Sequence, residues 1–185
     1  MMRIITGRAR GSKLFTLEGS NTRPTSERTK EAVFSILNLN YEGKSVLDLF
    51  AGSGQMGLEA VSRGAEKAIF VDSSKDAVEV IKKNISKTHF EKECTAVLSS
   101  YTDFLKRVCG RERYSLVFLD PPYASDFLEN SLKLLTKYEL LSDNAVLVCE
   151  SDKPELDFDE DRFEIKAQKK YGIAHITILK LKEKD

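Results

Sequence analysis

The sequence predicts an α/β protein: an open, mostly parallel sheet with helices on both faces. Three observations predict it. Short apolar runs recur at 46–50, 68–72, 95–98, 116–119 and 145–149, and helical patterns separate most of them. A glycine turn joins the first run to its helix. Acidic residues, Asp48, Asp72 and Asp120, stand where runs give way to turns. Brief apolar runs bounded by turn signals are the pattern of strands buried on both faces. A βαβ rhythm makes such strands parallel and places ligands beyond their carboxyl ends, where Asp48, Asp72, Ser100 and Asp120 all fall.

The other elements follow in order. Strand-like pieces at 3–6 and 13–16 flank Gly7-Arg8-Ala9-Arg10-Gly11, predicting a small hairpin with a basic tip. Thr25 or Ser26 can cap a helix whose apolar face runs Ala32, Val33, Ile36 and Leu37. A helix over 74–87 shows Ala77, Val78, Val80, Ile81 and Ile85 on one face. Ser99-Ser100-Tyr101 opens the next loop and helix, and a further helix covers 126–138. The tail alternates over 163–167 and 173–181 around Tyr171-Gly172, which predicts an antiparallel hairpin and brings the sheet to seven strands. One domain over 1–185 is expected, with a basic hairpin and helix in 1–40 and a cofactor-binding core in 41–185.

Hydrophobic residues make up 41% and charged ones 31%, the balance of a folded chain rather than a disordered one. No apolar run approaches bilayer length, and the first residues lack the core of a secretion signal. A cytoplasmic monomer without membrane contact is therefore expected. Cys94, Cys109 and Cys149 have no metal-ligand spacing, and the two histidines lie far apart, so no metal is expected. Cys149 reads as core. No cysteine follows a proline, which leaves a cysteine nucleophile for ring-carbon methylation without support.

Formal net charge is zero but unevenly spread. Arg3, Arg8, Arg10, Lys13, Arg23, Arg28 and Lys30 crowd the first 30 residues against Glu18 and Glu27, while 150–164 is acidic. The basic arm suggests a local nucleic-acid contact; a solvated terminus fits the charges equally well.

Gly52-x-Gly54-x-x-Gly57 formally satisfies a dinucleotide fingerprint, which alone is weak. Glycines admit close backbone approach, and free N–H groups at a helix start favour electron-rich atoms. Asp48 discriminates: a carboxylate before the turn does nothing for pyrophosphate but suits the cationic amino-acid end of S-adenosylmethionine (AdoMet). Asp72, about twenty residues on, can accept from ribose hydroxyls of either cofactor. A turn that merely packs helix on strand is the plain alternative.

Asp120-Pro121-Pro122-Tyr123 is the most informative short motif. A nucleobase amine is a poor nucleophile because its lone pair is delocalised into the ring. The Asp120 carboxylate and Pro121 carbonyl can each accept one of its N–H bonds and hold the nitrogen in line. The prolines stiffen the corner, and Tyr123 offers a stacking face. Orientation and electrostatics then supply most of the rate, on a base that is unpaired or flipped out. Standing alone, Pro-Pro after a strand would be an ordinary turn.

The run Asp48-Leu49-Phe50-Ala51-Gly52-Ser53-Gly54 resembles the first motif of class I AdoMet-dependent methyltransferases. With Arg3-Ile4-Ile5-x-Gly7, Arg10-Gly11, Arg23-Pro24-Thr25-x-x-Arg28-x-Lys30-Glu31-Ala32-x-Phe34 and Asp120-Pro121-Pro122-Tyr123, nearly the whole chain resembles the RsmD family of bacterial methyltransferases. That resemblance implies the Rossmann-like class I methyltransferase fold and transfer from AdoMet to the N2 amine of one guanine in 16S rRNA of the small ribosomal subunit, leaving S-adenosyl-L-homocysteine. It implies cofactor contacts at Thr25, Asp48, Phe50, Ala51, Gly52, Ser53, Gly54, Asp72, Ser73, Ser100, Tyr101 and Asp120, and catalysis at Asp120, Pro121, Pro122 and Tyr123. It implies RNA contacts at Arg3, Arg8, Arg10, Lys13, Arg23 and Arg28. Gln55-Met56 replaces a small or aliphatic pair, Asp72 stands where Glu is frequent, and Ser100 where Asn or Asp would be preferred beside adenine.

Other readings stay open at this stage. The Asp-Pro-Pro-Tyr geometry also suits adenine N6, in DNA or RNA. An NAD(P)-linked oxidoreductase fits the glycines and Asp72 but leaves Asp48 and the Asp120 corner without roles. A noncatalytic RNA-binding or assembly factor with a relic pocket is a third class.

Overall fold

The computed structural model describes residues 2–17, 27–123 and 125–183. In chain order the elements are α1 (Glu27–Leu37), β1 (Ser45–Asp48), α2 (Gln55–Ser62), β2 (Lys67–Asp72), α3 (Lys75–Thr88), β3 (Cys94–Leu98), α4 (Tyr101–Val108), β4 (Tyr114–Leu119), α5 (Phe127–Lys137), β5 (Leu141–Ser151), β6 (Phe163–Tyr171) and β7 (Ala174–Leu181). The strands form one seven-stranded sheet in the order β3-β2-β1-β4-β5-β7-β6. β1 to β5 run parallel to one another, while β7 is antiparallel to both β5 and β6. This is the class I methyltransferase fold, with the expected terminal hairpin at one edge.

Residue alternation divides the core. Val46, Phe118 and Val148 face a layer containing α1, α2 and α3, whereas Leu47, Val117 and Leu147 face α4 and α5. Strand order reverses between β1 and β4, because the chain moves outward to β3 and then returns to the other side of β1. Helices depart to opposite faces there, which opens a crevice at the carboxyl ends of those two strands. Asp48 ends β1, and Asp120 immediately follows β4.

Local chemistry sets the helices. Ser74 caps α3 by accepting the Ala77 N–H at 3.3 Å, and His89 closes it in a left-handed conformation at φ 60°. Ala77, Val78, Ile81 and Ile85 on its inner face are buried, while Val80 lies at the margin. Ser100 caps α4 in the same way through the Asp103 N–H.

One expectation is corrected. The α1 face that packs inward is Thr29, Lys30, Val33, Phe34 and Leu37, whereas Ile36 is 36% exposed. Lys30 turns inward because its ammonium finds partners: Nζ donates to the Arg3 carbonyl at 2.6 Å and lies 3.5 Å from Glu59. Burial lowers its pKa, opposed chiefly by the Glu59 charge. Glu59 also accepts the N–H groups of Ile5 and Thr6 and the Arg63 guanidinium.

The N-terminal hairpin forms as expected but is short: the two pieces meet in one antiparallel bridge, Arg3 to Lys13, with hydrogen bonds Ile4 N–H to Ser12 O, Gly11 N–H to Ile4 O and Leu14 N–H to Met2 O. Other arm residues find partners on the helices. Met2, Ile4 and Leu14 sink into the α1–α3 core, and the Arg8 N–H donates to Ser62 O at 2.8 Å. The helix cap expected at Thr25 or Ser26 lies outside the described residues.

Candidate active site

The site is built at the crevice, beginning with the glycine turn. Gly52 and Gly54 have φ values of 55° and 77°, which lets the chain reverse directly into α2. Gly57 lies inside α2, where a Cβ would overlap the Phe70 ring; its hydrogen permits close approach of helix and strand. That approach brings the Gly57 N–H within 3.0 Å of Asp48 Oδ2.

Asp48 is 4% exposed. Burial raises its pKa to about 7, against the lowering effect of the Gly57 hydrogen bond and with a smaller raising effect from Asp72. A buried carboxylate balanced near neutrality gains from a cationic ligand, and a pyrophosphate would worsen its position.

Asp72 bridges two segments: Oδ2 accepts the Gly52 N–H at 2.9 Å and Oδ1 the Ser74 N–H at 2.8 Å. These bonds fix the carboxylate at the crevice while leaving acceptor capacity for ribose hydroxyls. Ser73 is exposed beside it. Ser100 uses its hydroxyl locally, donating to Asp103 Oδ2 at 2.8 Å and accepting the Asp103 N–H at 3.1 Å. An adenine contact by that hydroxyl competes with helix capping.

Phe50 and Tyr101 come together with a residue that sequence reading missed, Phe127. Ring centroids are 5.3 Å apart for Phe50–Tyr101, 5.1 Å for Tyr101–Phe127 and 6.3 Å for Phe50–Phe127, the last pair nearly parallel at 11°. Asn130 donates to the Tyr101 hydroxyl at 2.8 Å. Phe127 opens α5 and, in the sequence, is one apolar residue of an amphipathic helix. Only its 36% exposure separates it from core.

The Asp120 corner projects from β4. Pro121 is buried, Pro122 is exposed, and Tyr123 is 39% exposed. The Tyr123 hydroxyl donates to Glu150 Oε1 at 3.0 Å. Asp120 has an open solvent-facing side although protein crowds it on the others. That crowding, followed by the charges of Glu150 and Asp48, raises its pKa well above the ordinary carboxylate value, with the open side moderating the effect. The cavity here is only about 10 Å³, lined by Pro121, Pro122, Tyr123 and Glu150 among others. A larger cavity of about 470 Å³ lies at the other end of the sheet, by the amino ends of β4 and β5, lined by Arg113, Asp143, Arg162 and Lys182 among others. Size and chemistry point to different places. Chemistry decides, because Asp48, Asp72 and Asp120 converge only at the crevice.

The predicted RNA contacts disperse. Arg8 binds Glu93 at 3.0 Å and lies 5.0 Å from the Phe90 ring centroid. Glu93 precedes β3 at the amino ends of the strands, so the tip of the arm points away from the Asp120 corner. Arg3 pairs with Glu27 at 3.5 Å. Arg10, Lys13 and Arg28 are exposed, and Arg23 and Thr25 lie outside the described residues. Of the thiols, Cys94 and Cys149 are buried and burial pushes both up, Cys94 to about 12, which suits core packing rather than nucleophilic attack.

The chain resembles known proteins over most of its length. The family described as conserved hypothetical protein 95 matches residues 2–180. The chain is 35% identical over 174 residues to ribosomal RNA small subunit methyltransferase D of Haemophilus influenzae, covering 94% of this chain and 90% of that protein. The solved yhhF protein of Escherichia coli superimposes with a TM-score of 0.87 at 30% identity, over 99% of both chains. SMU.776, solved in complex with SAH, shares the fold at a TM-score of 0.66 and 16% identity, over 82% of this chain and 48% of that one. The chain therefore belongs to the RsmD family of methyltransferases.

Proposed function

We propose that this enzyme transfers a methyl group from AdoMet to the exocyclic N2 amine of one guanine in 16S rRNA, within the small ribosomal subunit. The observation that carries this reading is the placement of Asp120-Pro121-Pro122-Tyr123 at the carboxyl end of β4, across the switch point from the glycine turn. The donor set fits AdoMet. Asp48 suits its cationic end, Asp72 its ribose, and Phe50, Tyr101 and Phe127 a flat apolar ring. When bound, AdoMet supplies an electrophilic methyl on a sulfonium and leaves as S-adenosyl-L-homocysteine.

The protein's own groups do the rest. Asp120 and the Pro121 carbonyl accept the two N–H bonds of the amine and direct its lone pair at the methyl carbon. The C–N bond forms as the C–S bond breaks, with its electron pair going to sulfur. The nitrogen then sheds a proton, which Asp120, with its raised proton affinity, is suited to receive. Tyr123 supports the base by stacking.

Zero net charge gives little long-range attraction to phosphate, so ribosomal protein in the particle supplies part of the docking surface. Primer extension and mass spectrometry of 16S rRNA from a deletion strain test the assignment. One guanine should lose its N2 methyl and regain it when the gene is restored; unchanged methylation at every 16S guanine would refute it. Calorimetry with AdoMet and NADH tests the cofactor, with binding expected for AdoMet alone.

A further inference from the structure

Asp-Pro-Pro-Tyr by itself does not choose between guanine N2 and adenine N6, since either amine offers two N–H bonds. The structure adds a second carboxylate to the corner, Glu150, which has no counterpart in the motif. In the β4–β5 register Leu119 pairs with Cys149, so Asp120 and Glu150 are the next residues of adjacent parallel strands. Both belong to the side of the sheet that carries Phe118 and Val148. Glu150 is half-buried, paired through its backbone with Ile176 of β7, and its Oε1 accepts the Tyr123 hydroxyl at 3.0 Å. The bond to Tyr123 fixes this carboxylate against the ring on which the base would stack.

We propose that Glu150 is a specificity-determining residue that accepts the N1–H of guanine while Asp120 accepts an N–H of the N2 amine. This rests on the guanine reading above and extends it. Guanine carries adjacent donors on that edge, N1–H and N2–H. Adenine carries a donor at N6 but a lone pair at N1. Two neighbouring carboxylates match the first edge and repel the second. A site built to accept a substrate N–H rejects the analogue lacking it strongly, because a buried acceptor is left facing another lone pair. Glu150 therefore sets which base is methylated, and Asp120 directs the amine.

2-Aminopurine separates these roles: it keeps the C2 amine but has a lone pair at N1. Small subunits are reconstituted with 16S RNA carrying guanine or 2-aminopurine at the position located in the deletion strain, and kcat/KM is measured. The wild-type enzyme should favour guanine by about 10²-fold or more. E150Q, whose amide can donate to N1, should bring the two substrates within a few-fold of each other, with AdoMet binding by calorimetry unchanged as a check on folding. Y123F, which keeps the stacking ring but removes the hydroxyl that fixes Glu150, should weaken the preference several-fold with KM for the guanine particle little changed. Equal wild-type rates on both bases would overturn the inference, as would an E150Q enzyme that keeps the wild-type preference. The wild-type comparison needs no variant to fold. Absence of transfer even to guanine would defeat the proposed function and this inference with it, whereas transfer to guanine without discrimination would defeat this inference alone.

Discussion

Asp48 and Asp120 are two carboxylates whose surroundings oppose their ionisation, and their consequences differ. The folded pKa of Asp48 is raised from 3.8 to about 7, so the native state holds a proton that the unfolded chain releases. Its contribution to stability is therefore present below about pH 4 and lost as pH rises to about 7. Asp48→Asn should unfold at higher urea than wild type at pH 8, by about 2–4 kcal/mol, and nearly alike at pH 4. AdoMet affinity of the wild type should rise with pH through about 7, and that of the variant should be weak and flat. Calorimetry across that range would show it, and a pH-independent wild type would disprove the role. For Asp120→Asn, kcat should fall about 10²–10⁴-fold with AdoMet affinity within a few-fold of wild type. Full methyl transfer by this variant would remove Asp120 from the chemistry. Both acids were legible in the sequence because a carboxylate ending an apolar run is conspicuous. Phe127 and Glu150 were not, the first resembling a helix face and the second the start of an acidic stretch. Only strand register shows that Glu150 and Asp120 are neighbours.

Elements were legible wherever a period and a cap agreed, as in α3 with Ser74 at its start. Reading failed where long-range partners set the outcome. In α1 the inward position belongs to Lys30 because Glu59, on another helix, and the Arg3 carbonyl receive it. The hairpin of the arm forms but stays short, since the Ile5 and Thr6 N–H groups go to Glu59 and the Ala9 N–H to Ser62 rather than across to residues 13–16. Removing one partner of such a fully buried pair leaves a charge without compensation. Glu59→Ala should therefore cost about 3–5 kcal/mol, read as a lower urea midpoint at unchanged slope. A change below about 1 kcal/mol would mean the network is dispensable. Asn84 is a comparable device that no periodicity announces. Its amide accepts the Phe15 N–H at 2.7 Å and donates to the carbonyls of Phe15 and Ser53 at 3.0 and 2.9 Å, joining the arm to the glycine turn through α3.

At the scale of the molecule, the sheet order puts cofactor chemistry at one end and the tip of the arm at the other. A chain of zero net charge, with Arg3 and Arg8 already paired, attracts phosphate only weakly at long range. Methyl transfer should accordingly be faster on small subunits than on protein-free 16S transcript, and its KM should rise only weakly between about 50 and 200 mM salt. Equal rates on the two substrates, or a steep salt dependence, would return the docking role to the basic arm. The Lys30–Glu59 pair carries a last consequence. Residues 3–6 close it from above with one carbonyl and two amides, so the opening of the chain serves as a plug in the interior. A protease nick or shortened gene product lacking those few residues should lose solubility.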